Sequence, residues 1–186
     1  MTLLIDVGTV LRGTVCDLYS NLVTRPTGAA VRSAIERQVS EVGEPVVTTI
    51  DFSQVSLLDF SCADEIVAKL LLRYIDVNGP RGFLLFSGIQ EDHLDPIETV
   101  LEHHKLALVS WFEGEAELFG SVDAHERLHW EAVRDAGPVV VNTIAVMLGT
   151  ETLVSDAILE RLRLRRLVMR RDDTYLIPGM VRGPVT

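Results

Sequence analysis

The sequence has no uninterrupted apolar run of the about 18–20 residues that a membrane-spanning helix requires, so no span is expected. Its N-terminus has no basic segment leading into a long apolar stretch, so no secretory signal is expected and the expected location is cytoplasmic. Two cysteines, Cys16 and Cys62, do not make a disulfide framework. There is no glycine-rich phosphate loop, no Gly-x-Ser-x-Gly elbow and no pair of catalytic acids. The expectation is a protein that is not an enzyme, with no catalytic residues, no cofactor and no metal. Internal repeats and low-complexity linkers are also missing.

What is present is a chain of 186 residues, 47% apolar, which suffices to bury a core. The net charge of −10 argues against a surface that binds nucleic acid everywhere. That charge is unevenly placed. Residues 1–120 carry 8 Lys and Arg against 18 Asp and Glu, whereas residues 121–186 carry 9 of each. All nine C-terminal cations are arginines, and six of them fall between Arg161 and Arg171. Such a shift predicts two domains, 1–120 and 121–186, with different partners.

Apolar spacing predicts a strand over 2–7, an extended stretch over 10–17 that pairs with it, and a helix from Thr24 to about residue 42. Thr24 or Thr27 is expected to cap that helix, with Pro26 in its first turn. Strands follow over 45–50, 83–86 and 106–111. Helices follow over 61–76 and 91–104, and a short extended piece over 116–119. Strands alternating with helices imply an α/β domain whose mostly parallel or mixed sheet is flanked by helices. After residue 122 the pattern becomes helix, short helix, tight turn, longer helix over 151–166, then a hairpin turning at Asp172 and Asp173. That is the order of a small winged helix-turn-helix domain.

The segment from Thr49 to Ile66 runs from a buried strand into a helix start. Asp59 or Ser61 can cap this helix, with Asp64 three residues beyond Ser61 as a capping-box partner. Free N–H groups and the positive end of the helix dipole suit a phosphate there, bound or covalent on Ser61. The plainer reading makes Ser61 a cap and no more. Cys62 at the same terminus invites a lowered thiol pKa. Arg25, a cation beside Pro26 in an acidic domain, is expected to reach an anion or a neighbouring carboxylate.

This segment resembles the signature of STAS domains, the anti-sigma-factor-antagonist fold. In that family a strand ending in Asp-Ser-Ser-Gly leads into a helix, and the second Ser accepts phosphate from an anti-sigma kinase. Asp59 matches the Asp, Ser61 the phosphoacceptor, and Phe60 and Cys62 stand where the family has small residues. A closer resemblance is to the uncharacterised STAS-like group, through Thr24-Arg25-Pro26-Thr27-Gly28, Asp51-Phe52-Ser53 and Ala63-Asp64-Glu65. It covers roughly residues 20–110. It implies a signalling protein that binds a protein partner of the anti-sigma or kinase type. Ser61 and Asp59 would form the switch, and Arg25, Asp64 and Glu65 the anion or partner contacts.

In the second domain, Arg161 and Arg165 on the long helix and Arg170 and Arg171 on the hairpin are candidate phosphate contacts for DNA. The start of that helix offers Thr150, Glu151, Thr152, Ser155 and Asp156, whose two acids oppose the phosphate field. DNA binding by a transcription regulator whose first domain senses a ligand is the alternative function. His125-Glu126-Arg127-Leu128-His129 spells H-E-x-x-H, which makes a zinc hydrolase using His125, Glu126 and His129 a remote alternative. Its charged Arg127 and the lack of a recognisable third ligand count against it. His103 and His104 at a helix end read as favourable C-terminal charge.

Overall fold

The β-branched and apolar segments of the first 120 residues line up side by side. The computed structural model describes residues 2–15, 20–43 and 46–180. In it, β1 (Thr2–Asp6), β3 (Val47–Asp51), β5 (Phe83–Ser87) and β6 (Ala107–Phe112) run parallel, and β7 (Glu115–Gly120) returns antiparallel to β6. The order across this mixed sheet is β1-β3-β5-β6-β7. Phe83 to Phe86 are buried on both faces, which is why β5 takes the middle place. At the edge, β7 alternates exposed Glu115 and Glu117 with buried Ala116 and Leu118, a charged pattern that discourages pairing with another sheet. A separate parallel pair joins β2 (Asn21–Leu22) to β4 (Leu57–Leu58).

Helices α1 (Val7–Thr14), α2 (Arg25–Val42), α3 (residues 60–75) and α4 (Glu91–His104) complete this unit, Met1–Ser121. The fold is α/β with a mixed sheet and helices, as expected. One element differs. The stretch expected to be extended from residue 10 is the helix α1, which Asp6 caps by accepting from Gly8 N at 2.9 Å and Thr9 N at 3.3 Å. Val7, Val10 and Leu11 then bury at helical spacing, and β1 pairs with β3 instead. Residues 16 and 17, including Cys16, and Pro45 lie outside the described residues.

α3 begins as an α-helix (Phe60–Ala63), passes through a π-helical turn (Asp64–Ala68) and resumes as α-helix (Lys69–Ile75). Residues 62–68 are all buried, because α2 and α4 both pack on this part of α3. No helix among the described residues is long and apolar enough to cross a membrane.

The second unit, Val122–Thr186, contains α5 (Ala124–Ala136), β8 (Val139–Val140), α6 (Val141–Leu148), α7 (Thr152–Leu164), β9 (Met169–Arg171) and β10 (Thr174–Leu176). Here β10 sits between β8 and β9, antiparallel to both. The strand β8 was not expected; two residues beyond a Gly-Pro break are too few to show a pattern. Gly149, at φ 63°, makes the turn from α6 to α7, a conformation that favours glycine. The core gathers Trp130, Ile144, Leu159, Leu162, Tyr175 and Ile177, and the Trp130 indole donates to the Leu167 carbonyl at 3.0 Å.

Candidate functional site

Two sequence segments about 35 residues apart form one structure at the start of α3. The β2–β4 pair lays residues 20–22 along 56–59, with Ser56 N donating to Ser20 O and Asp59 N to Leu22 O. Thr24 then turns at φ 86°, a strained value for a β-branched residue. Its N–H donates to the Asp59 carboxylate at 3.1 Å, and its carbonyl accepts from the Cys62 thiol at 3.0 Å. Thr24 therefore occupies the cap position of α2 without a side-chain bond to the helix backbone; its hydroxyl meets that of Thr27 at 3.0 Å.

Asp59 is the cap of α3. Its carboxylate accepts from Cys62 N at 2.7 Å and from the Ser61 hydroxyl at 2.9 and 3.1 Å. Ser61 is thus held by the cap and is not the cap itself. The Ser61 side chain is half-buried, and next to it Phe60 is 45% exposed on the first turn. Asp64 does not close a capping box. It turns to Arg25 at 2.6 Å and to His104 Nε2 at 2.8 Å. Glu65 receives Arg25 at 2.9 Å, Arg32 at 3.4 Å and Lys69. Five partner contacts for two buried carboxylates meet the general requirement that a buried charge be paired.

Gly28 lets these segments approach. A Cβ at this position would lie 2.9 Å from the Cys62 Cα and 3.0 Å from the Glu65 Cβ. So Arg25 reaches neighbouring carboxylates, those of Asp64 and Glu65, and Asp59 with Ser61 lies one helical turn before them. Thr24 and Gly28, quoted in the motif that carries the resemblance, belong to the same construction; so do Arg32, Lys69 and His104, none of which was expected there. The Glu65–Lys69 spacing of i, i+4 was a readable signal. His104, expected to serve only helix α4, gave none.

Burial works to raise the Asp59 carboxyl, but hydrogen bonds from Thr24, Cys62 and Ser61 outweigh it and leave its pKa below the ordinary 3.8. Burial likewise works to raise Asp64, but Arg25 and His104 outweigh it and leave the pKa lowered; at Glu65, Lys69 and Arg25 outweigh burial in the same way. The folded unit therefore binds fewer protons than the unfolded chain. The stability that these carboxylates contribute is full above their ordinary values of 3.8 and 4.5 and is lost as pH falls below them toward the lowered folded values. We expect the melting temperature of the first unit to drop between pH 5 and pH 3 (about the carboxylate range). Glu65→Gln flattens that slope in thermal melts followed by circular dichroism. Cys62 is the opposite of the reactive thiol expected: burial, then the charge of Asp59, pushes its pKa up to about 12.

In the second unit the expected phosphate contacts are largely committed to partners. Arg161 pairs with Asp123 at 3.0 Å and Glu126 at 3.3 Å, and Arg165 with Glu126 at 2.7 Å. Arg170 donates to the Asp172 carbonyl at 3.1 Å and lies over the Tyr175 ring. Arg171 is exposed on β9. The H-E-x-x-H residues are also spent within the fold. Glu126 closes a capping box with Asp123 and takes both arginines. His129 is buried, with Nδ1 donating to the His125 carbonyl at 2.8 Å and Nε2 accepting from Ser155 at 3.1 Å. Among the described residues no three His, Cys, Asp or Glu side chains gather as a metal site.

Comparison with family models, with curated proteins and with solved structures returns no match.

Proposed function

We propose that the chain is a regulatory protein that acts by binding other proteins. Its first unit would serve as a STAS-like module switched at Ser61, and its second as a winged-helix output module. The observation that carries this reading is the Ser61 hydroxyl resting on the Asp59 carboxylate beside exposed Phe60. Asp59 also holds the N–H groups of Thr24 and Cys62. A phosphate on Ser61 adds about −1.5 to −2 charges against that carboxylate. The repulsion pulls Asp59 off Thr24, releases the left-handed turn before α2 and changes the surface around Phe60. A partner of the anti-sigma or kinase type, able to deliver that phosphate and to sense the change, fits this chemistry.

The test compares Ser61→Ala with Ser61→Asp. Incubation with the cognate kinase should add phosphate to the wild-type chain, read by mass spectrometry, and not to Ser61→Ala. Ser61→Asp should melt below Ser61→Ala, because it alone sets a second charge against Asp59. It should also retain a different set of partners in a pull-down. Equal partner sets and equal melting temperatures would refute the switch.

The order helix, strand, helix, turn, helix, hairpin in the second unit supports DNA binding as a second reading. Against it stand the internal pairing of Arg161 and Arg165 and the acidic Glu151 and Asp156 on the first turns of α7. A duplex shift whose affinity falls steeply with salt would establish it.

A further inference from the structure

The first unit contains a cavity of about 300 Å³ between the end of α2, the end of α3 and the turn over 76–80. Its floor is apolar: Ile35 from α2, Leu70 from α3 and Leu84 from β5 are all buried. Its rim is polar, with Glu36 and Ser40 on α2, Arg73 on α3 and Asn78 on the turn. Hydrogen bonds fix that turn. The Asp76 carboxylate accepts from Asn78 N at 2.7 Å, and the Asp76 carbonyl from Gly79 N at 3.0 Å. Gly79 is required there, because a Cβ would collide with the Arg73 carbonyl oxygen. A buried apolar floor under a few convergent polar groups, at about 300 Å³ or more, has the form of a small-molecule site.

The charges at the rim do not cancel. Arg32 and Arg73 share one oxygen of Glu36, Oε1, at 3.1 and 2.9 Å. Arg32 also reaches Glu65, which already holds Arg25 and Lys69. His104 apart, the connected set joins four cations, Arg25, Arg32, Lys69 and Arg73, to three carboxylates, Glu36, Asp64 and Glu65. Arg73 ends this chain at the edge of the cavity. Among the described residues Glu36 is its one ion-pair partner, met through Nη1 alone, and its side chain is 49% exposed. The nearby Asp76 carboxylate is turned to the Asn78 N–H. One positive charge is therefore left at the rim, in a part of the chain where acids outnumber bases 18 to 8.

We propose that this cavity binds a small monocarboxylic acid with an apolar body. The carboxylate meets the outer edge of the Arg73 guanidinium, whose planar fork matches two carboxylate oxygens. The body lies on Ile35, Leu70 and Leu84, where burial of apolar surface favours it. A cavity of about 150 Å³ holds a benzene ring, so this one admits a single ring or a short chain together with its acid group. An amine meets the uncompensated positive charge, and an alcohol gains the apolar contact without the ion pair. The inference concerns the first unit alone and is independent of any modification at Ser61.

Titration of the full chain with phenylacetate and with hexanoate, followed through backbone amide NMR signals, tests it. Both acids should shift Val39, Arg73, Asn78 and Gly79 saturably. Each should bind roughly tenfold or more tightly than acetate, 2-phenylethanol or 2-phenylethylamine. Arg73→Gln should weaken phenylacetate roughly tenfold, with the melting temperature held because the side chain is half exposed. Glu36→Gln should act in the opposite sense and tighten it, since it removes the internal competitor for Arg73. Val39→Phe, which fills the cavity from α2, should abolish binding while the rest of the amide spectrum stays in place. No saturable shift with either acid overturns the proposal, as do shifts confined to residues outside the cavity. So does equal binding of acid, alcohol and amine, acetate binding as tightly as phenylacetate, or wild-type affinity in Arg73→Gln.

Discussion

Trp130→Ala should unfold the second unit while the first still melts as a separate, unchanged transition. Trp130 is 1% exposed on α5, and its indole reaches across to the Leu167 carbonyl, where α7 gives way to β9. Removing it leaves a cavity in the buried interior of this unit and takes the indole donor from the buried Leu167 carbonyl. Large aromatic truncations of this kind cost about 3–5 kcal/mol. A unit of this size has a total stability of about 0.05–0.15 kcal/mol per residue. For this unit that is roughly 3–10 kcal/mol, so the loss consumes from about a third to all of what holds the second unit together. Differential scanning calorimetry should show the second transition lost or shifted far down, and the first in place. A single transition that moves as a whole would contradict independent units.

The contrast between what was legible and what was not follows from where each signal lies. The strands over 47–51 and 83–87 announce themselves because buried β-branched and apolar side chains leave no other element open to them. Helix α1 was hidden by its length. Over 7–14, Val7, Val10 and Leu11 are too few to separate helical spacing from weak alternation, and the deciding cue was Asp6 as a cap. At the candidate site, Asp59, Ser61, Arg25, Asp64 and Glu65 were all readable, but their division of labour was not. Asp64 read as a capping-box partner of Ser61, and with Glu65 as an anion or partner contact. Only the π turn and the packing of α2 and α4 bury both of them. The same burial reverses the expectation for Cys62, since a helix terminus lowers a thiol pKa only where the thiolate keeps some solvent. The arginines of α7 were likewise legible as a cluster, while their partners Asp123 and Glu126 lie on another helix, beyond any local pattern.

Gly28 gives the sharpest test of how the two segments at that site are joined, because its expected sign is the reverse of the usual one. In a helix interior, Gly→Ala ordinarily stabilises by about 1 kcal/mol. Gly13, on α1, meets nothing within 4 Å of an added Cβ, so Gly13→Ala should show that ordinary gain. At Gly28 the added Cβ falls 2.9 Å from the Cys62 Cα, a backbone atom that cannot swing aside. Either α2 backs away from α3 or the helix start shifts, and overpacking of this kind costs about 1–3 kcal/mol. Thermal melts of the first unit should therefore move in opposite directions for the two alanine variants. Trimming Cys62 to alanine as well should recover little, because it removes only the Sγ contact at 3.3 Å and leaves the closer Cα in place. Separating α2 from α3 also carries Thr24 away from Asp59 and Arg25 away from Asp64 and Glu65. Gly28→Ala should thus blunt any difference in partner choice between Ser61→Ala and Ser61→Asp. If that difference survives intact in the Gly28→Ala background, the signal from Ser61 does not pass through residues 24–28.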